Sequence, residues 1–303
     1  MQRIILLSTI CLLIGMASAA PLAAAAPTST VTVTTTSMVV DGDTSSINAL
    51  LADPGDDGQI SFPEALTAVN NTGSGHTINF NLATGATISH SYTFDVFVSS
   101  TTIDGDTNGD SNPDVVFNGP NGFHSIVLYS ANNILRNLVI TGIGLDNSTS
   151  HHNQIIHNYI GTDVTGTVVR DENTNGIEIE YGAHDNVIGG TTAAERNIIA
   201  GHTNNGGILI HSGAQNNQIT GNWIGLNAAG NPLPNRSGIF IQDGAVNNVI
   251  GGQRAGAPCT GPCNVISGNS ESGIAMFDTG TSSNQVPQAA AAAVAAAFRR
   301  LGR

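Results

Sequence analysis

The 303-residue chain has no Lys, nine Arg and 22 Asp or Glu, a formal net charge of −13. Arg3, Arg299, Arg300 and Arg303 lie near the ends, so residues 28–286 hold five Arg against all 22 acids, a net of −17. Such a surface repels nucleic acid and anionic membranes, and disfavours anionic polymers unless cations bridge them.

The chain opens with Arg3, the apolar run "IILLSTICLLIGM" and the small-residue segment "ASAA". This is the pattern of a secretory leader, so residues 1–19 are expected to be removed and the mature protein exported. No later stretch reaches the ~18 apolar residues of a membrane span. Residues 20–37, rich in Ala, Pro and Thr, are expected to be a linker running into a first strand.

Residues 38–120 read as an N-terminal cap and first coils. Within them "DPGDDGQISFPE" places Asp53, Asp57, Gly58, Ile60 and Glu64 at positions of an EF-hand calcium loop. Gly55 stands where a third oxygen ligand belongs, and Pro54 and Pro63 stiffen the turn, so the alternative is an acidic turn into a short helix. A second loop, "DGDTNGDSNPD", brings Asp104, Asp106, Asn108, Asp110 and Asp114 together as candidate calcium ligands, although it lacks the closing Glu.

From residue 121 to 286 repeats dominate. Gly-Ile recurs at Gly142, Gly176, Gly207, Gly238 and Gly273, each followed by alternating apolar residues, as in "GIEIEYG" and "GILIHSG". Period-two alternation of this length is a strand with one buried face. A second strand begins at Asn153, Asn186, Asn217 and Asn248, and a third after Asn158, Asn197, Asn222 and Asn264. Three short strands per unit, with Asn and Gly corners and no helical period, predict an all-β right-handed parallel β-helix of about eight coils with a short capping helix. Stacked Asn are expected to bond from coil to coil. Cys11 leaves with the leader, so Cys259 and Cys263 are expected to form a disulfide. The Ala-rich residues 287–303 share nothing with the repeat and read as a truncated or non-native end.

The stretch "DDGQISFPEALTAVNNTGSGHTINFNL" resembles the N-terminal module of CSLREA-domain proteins, which are secreted bacterial right-handed β-helices. Ser61, Glu64 and Ala65 match its signature, with Asn70, Asn71 and "HTINF" following; Ile60, Phe62 and Pro63 depart from it. The resemblance implies a rod closed by a helix from about Phe62 to Asn70, with Phe62, Ala65, Leu66 and Val69 on one face and Ser61 as its N-cap. It implies no catalytic residues.

Pectate lyases and polygalacturonases share the parallel β-helix, but fold alone supplies no activity. The chain lacks Lys, the paired-Asp motifs of the hydrolases, and more than one Trp (Trp223). Stacking equivalent positions puts Asp146, Glu180, His211 and Gln242 in one outward column, and Gly144, Glu178, Leu209 and Phe240 in the next. Asp146, Glu178, Glu180 and His211 are therefore the candidate catalytic patch, against a plain solvated sheet face. His151, His152 and His157 raise a metal site, against an ordinary corner and strand. The first reading is a non-catalytic, monomeric, secreted or surface β-helix in adhesion or polysaccharide contact. The alternative is an extracellular polysaccharide lyase or glycoside hydrolase.

Overall fold

Short strands with apolar residues at alternate positions cannot bury that face alone, so they stack. In a computed structural model, which describes residues 29–120, 122–170, 174–252 and 261–287, 22 strands form three sheets. Every pairing within the sheets is parallel, and successive strands of the chain visit the three sheets in turn. The molecule is a right-handed parallel β-helix with seven complete coils, and a lone strand, Ser29–Val33, adds an eighth layer to the first sheet.

That lone strand is where the expected linker over residues 20–37 runs into a first strand, and it begins inside that range, at Ser29. Val31 and Val33 alternate with Thr, are fully buried, and pair in register with Ile78 and Phe80. β-branched residues at period two suffice for a strand once a neighbouring strand is present. The leader, residues 288–303 and Cys259 lie outside the described residues. Cys263 is disulfide-bonded and 2 % exposed.

The repeat positions explain themselves in space. Ile177, Ile208, Ile239 and Ile274 stack in one register inside the rod, and columns like it make one continuous core. The Gly of Gly-Ile is required by close approach: a Cβ on Gly238 would lie 2.4 Å from the Gly273 carbonyl oxygen. The corner Asn are buried and form two ladders. Each Asn side-chain oxygen accepts the backbone N–H of its counterpart one coil earlier, at 2.8–3.0 Å from Asn133 through Asn153, Asn186, Asn217 and Asn248 to Asn284. A second ladder joins Asn158, Asn197, Asn222 and Asn264. These bonds satisfy polar groups that the corners would otherwise bury unpaired.

Two helices meet the first coils. The first, α1 (Ile47–Ala52), carries no long apolar period in the sequence and was not expected. The second, α2 (Phe62–Thr72), starts at Ser61 and runs one half-turn beyond the expected end. Phe62, Ala65, Leu66 and Val69 are buried, and the Phe62 ring lies 4.7–5.9 Å from those of Phe80, Phe94 and Phe117.

Glu64 settles the first calcium loop. One carboxylate oxygen accepts the N–H groups of Asp41 and Gly42 at 2.9 and 2.8 Å; the other accepts the Ser61 N–H and hydroxyl at 2.8 and 2.9 Å. With 1 % exposure and its acceptors engaged, it is a capping-box residue and not an ion ligand. Burial works against its charge, and these hydrogen bonds outweigh it, holding the carboxyl below its ordinary pKa.

Candidate active site on the third sheet

The third sheet contains the strands Phe94–Val96, Ile126–Leu128, Ile143–Asp146, Ile177–Glu180, Gly206–Ile210, Ser237–Ile241 and Ser272–Met276. Its inward residues are apolar and buried, so the intervening residues point outward. The register pairs Asp146 with Glu180 and Glu178 with Leu209, followed by Phe240 and Ala275. His211 follows Ile210, the partner of Ile179, and so stands beside Glu180. Adjacent strands are ~4.8 Å apart, which brings the carboxylates of neighbouring coils into interaction range.

His211 binds the two glutamates together. Its Nε2 donates to Glu178 Oε1 at 2.8 Å and lies 3.4 Å from Glu180 Oε2. Its Nδ1 meets the Ser212 hydroxyl at 2.9 Å. On the other side, His124 Nε2 lies 3.4 Å from Glu178 Oε2, exposes less than 1 Å² and has no hydrogen-bond partner. One ligand atom each from Glu178, Glu180 and His211 lie within 4.8 Å of one another, a set that could also hold a divalent cation.

These contacts drive the carboxyls apart in acidity. Burial raises Glu178, but the His211 hydrogen bond and the charges of His124 and His211 outweigh it and keep the carboxyl ionised below its usual range. Burial and the adjacent Glu178 charge push Glu180 up to about 7, with Asp146 adding to the effect and His211 opposing it. Asp146 is raised by burial and by Glu178, against a hydrogen bond from Tyr129. Asp95, on the Phe94–Val96 strand, is raised by burial and by Asp146. His211 is raised, chiefly by its bond to Glu178, whereas burial lowers His124.

Asp95, His124 and Tyr129 were not among the sequence candidates. They sit on early coils, before the Gly-Ile repeat begins, so no repeat position marked them. Aromatic rings also flank the patch, supplied by Phe and Tyr rather than by the single Trp. Phe97 is 61 % exposed and stacks on Tyr129 with centroids 5.4 Å apart; Tyr181 is 60 % exposed, and Phe240 meets Phe277 at 6.0 Å. Trp223 stands apart on the second sheet, under the Arg196 guanidinium at 4.7 Å.

The second calcium loop comes together in part. Asp106, Asp110 and Asp114 each offer a ligand atom within 4.8 Å of one another. Asp104 instead pairs with Arg136 at 2.7 Å and accepts from Asn137 at 2.7 Å, and Asn108 accepts the Asp110 N–H. The three-histidine site does not form. His151 bonds His152 at 2.8 Å and stacks on His184, while His157 bonds Asn137. His202 in "AGHTN" is a fully buried corner residue whose Nδ1 meets the Thr174 carbonyl; burial lowers its pKa to about 4, so it stays neutral.

Topology and site together define the class: a right-handed parallel β-helix with an ionisable, aromatic-flanked patch on one sheet. No protein-family model matches the chain, and no curated protein matches it. Among solved structures, the crystal structure of pectate lyase Pel9A is similar over 86 % of this chain and 70 % of that one, at 14 % identity and a TM-score of 0.40.

Proposed function

We propose that the protein is an exported glycan-active β-helix whose third sheet holds a polysaccharide and hydrolyses it at Glu178 and Glu180. The observation that carries this reading is the split between two neighbouring carboxyls, one ionised between two histidines and the other titrating at about 7. Environments that separate a pair of carboxyls in this way assign an acid and its ionised partner. Glu180 protonates the glycosidic oxygen as the C1–O bond breaks. Glu178 lies close enough for the double-displacement geometry, in which carboxyls stand about 5 Å apart, and forms a glycosyl ester with C1. Water then cleaves that ester, with Glu180 accepting its proton. His211 is a positioning residue that fixes Glu178.

A lyase would need a base and a cation to neutralise a uronate. Among the described residues, Arg136 and Arg236 are engaged with Asp104 and Glu271, Arg196 with Trp223 and Arg170 with Phe117 and Asn118, so that cation would have to be an ion held by Glu178, Glu180 and His211, the same groups that the hydrolytic reading uses as proton donor, nucleophile and positioning residue. The leader supports export, and Ser61, Glu64 and Ala65, the positions that match the CSLREA signature, support membership of that group. Glycan contact without cleavage is the second reading, favoured by aromatic and polar positions that continue along the sheet well beyond the two glutamates.

The test is incubation with neutral, amino-sugar and uronic-acid polysaccharides, reading new reducing ends and, separately, unsaturated products. New reducing ends without unsaturated products, lost in Glu180→Gln, are expected. Cleavage that survives Glu180→Gln, or binding without any cleavage across the panel, would sink the hydrolytic reading.

A further inference from the structure

Ile177 and Ile179 point into the core, so Glu178 and Glu180 leave one strand on the same outward face, with His211 beside them from the next coil. The His211 ring is fixed from behind. Its Nδ1 meets the Ser212 hydroxyl at 2.9 Å, and that hydroxyl donates onward to Asp243 at 3.3 Å. A hydroxyl has a single hydrogen, so Nδ1 is the donor to it, and Nε2 is turned toward oxygen acceptors alone: Glu178 Oε1 at 2.8 Å and Glu180 Oε2 at 3.4 Å. A nitrogen so placed needs a positive centre between itself and the carboxylates, and a bound cation supplies one as well as a proton does. On the far side of Glu178, the buried Nε2 of His124 has no hydrogen-bond partner and lies 3.4 Å from Oε2, in place to steady that oxygen while Oε1 faces an ion. Donors bound to a tetrahedral ion at about 2.0–2.1 Å stand about 3.3 Å from one another. The His211–Glu180 separation already has that length, the His211–Glu178 pair needs to open by only about half an ångström, and all three donors lie within 4.8 Å.

We propose that Glu178, Glu180 and His211 form a site for a first-row divalent ion of the zinc type, with Ser212, Asp243 and His124 holding those ligands in place. One imidazole and two carboxylates suit such an ion, whereas calcium takes about six to eight oxygens, and only two of these three side chains offer them. Three protein ligands leave a position open to water or to a sugar hydroxyl. The site stands whether or not the hydrolytic reading does. Where both hold, they exclude each other in one molecule: glutamates that ligate an ion can neither attack C1 nor protonate the glycosidic oxygen. The ion is then an inhibitor of the hydrolysis.

The experiment is titration of the full chain, stripped of metal by a chelator, with cobalt(II) as a visible probe. One equivalent is expected to develop the d–d absorption of four- or five-coordinate cobalt, stronger than that of the aqua ion. Zinc should abolish the band, and a large excess of calcium should not. His211→Gln should remove it, and Ser212→Ala should weaken cobalt binding by about tenfold, the scale on which outer partners of a ligand act. Circular dichroism checks that each variant keeps its β-helix. A cobalt spectrum that stays that of the aqua ion, a band that survives in folded His211→Gln, or displacement by calcium as readily as by zinc overturns the metal site and leaves the hydrolytic reading untouched. Metal-free protein that cleaves no glycan, with the cobalt band present, overturns the hydrolytic reading and leaves the metal site standing.

Discussion

Replacing Glu180 with Gln should stabilise the protein, and only above a defined pH. The fold raises this carboxyl from 4.5 to about 7, through burial first and the Glu178 charge second. For an acid with a raised folded-state pKa, the stabilising contribution of the protonated form is complete below the unfolded value. It is lost as pH climbs from about 4.5 toward 7. At ~1.4 kcal/mol per tenfold change in the proton equilibrium, the ceiling is about 3 kcal/mol. The side chain is still 18 % exposed, and solvent screening lowers the expected figure to about 1–2 kcal/mol. Gln is neutral throughout and nearly the same shape. Thermal or urea unfolding of both proteins across this range should therefore give coincident stabilities below pH 4.5, and a variant that is more stable above pH 7. A difference that does not change with pH, or a variant less stable at high pH, would refute both the assigned charge state of Glu180 and its role as proton donor.

The other expectations concern the scaffold. Asn217→Ala removes the acceptor of the Asn186 N–H and the donor to the Ala183 carbonyl in a fully buried ladder, and should cost about 2–4 kcal/mol in urea unfolding. Gly189→Ala meets two obstacles, a φ of +82° and a Cβ only 2.0 Å from the Thr220 carbonyl oxygen. It should prevent the coils on either side from packing, read as loss of soluble folded protein, whereas Gly213→Ala, also at positive φ but with nothing near its Cβ, should fold. Glu64→Ala should destabilise the capped end by about 2–3 kcal/mol, because the Asp41, Gly42 and Ser61 N–H groups lose their acceptor. Calcium should not rescue that variant; rescue would restore the ion-loop reading of Asp53–Glu64.

Much of the architecture was legible because a solenoid repeats its physics. Apolar alternation after each Gly-Ile, and an Asn at each following corner, recur in every late coil, so one unit read correctly gives the next. The capping box was legible for a local reason: Ser61 and Glu64 are three residues apart, and the helix between them needs nothing distant. The first strand was expected after the linker, but its start at Ser29 was not legible, because the strand it pairs with, His76–Phe80, lies across the whole cap.

The functional patch divides along the same line. Sequence alone placed Asp146, Glu178, Glu180 and His211 in adjacent outward columns, because the repeat carries register with it. It could not place Asp95, His124, Phe97 or Tyr129, whose coils have irregular corners and no shared motif. Only the folded rod brings those early residues beside the late ones. Sequence spacing also could not say which glutamate holds a proton. That depends on His211 reaching Glu178 at 2.8 Å and Glu180 only at 3.4 Å, with His124 on the far side of Glu178. Periodicity determined where side chains point, and the distances across coils decided their charge.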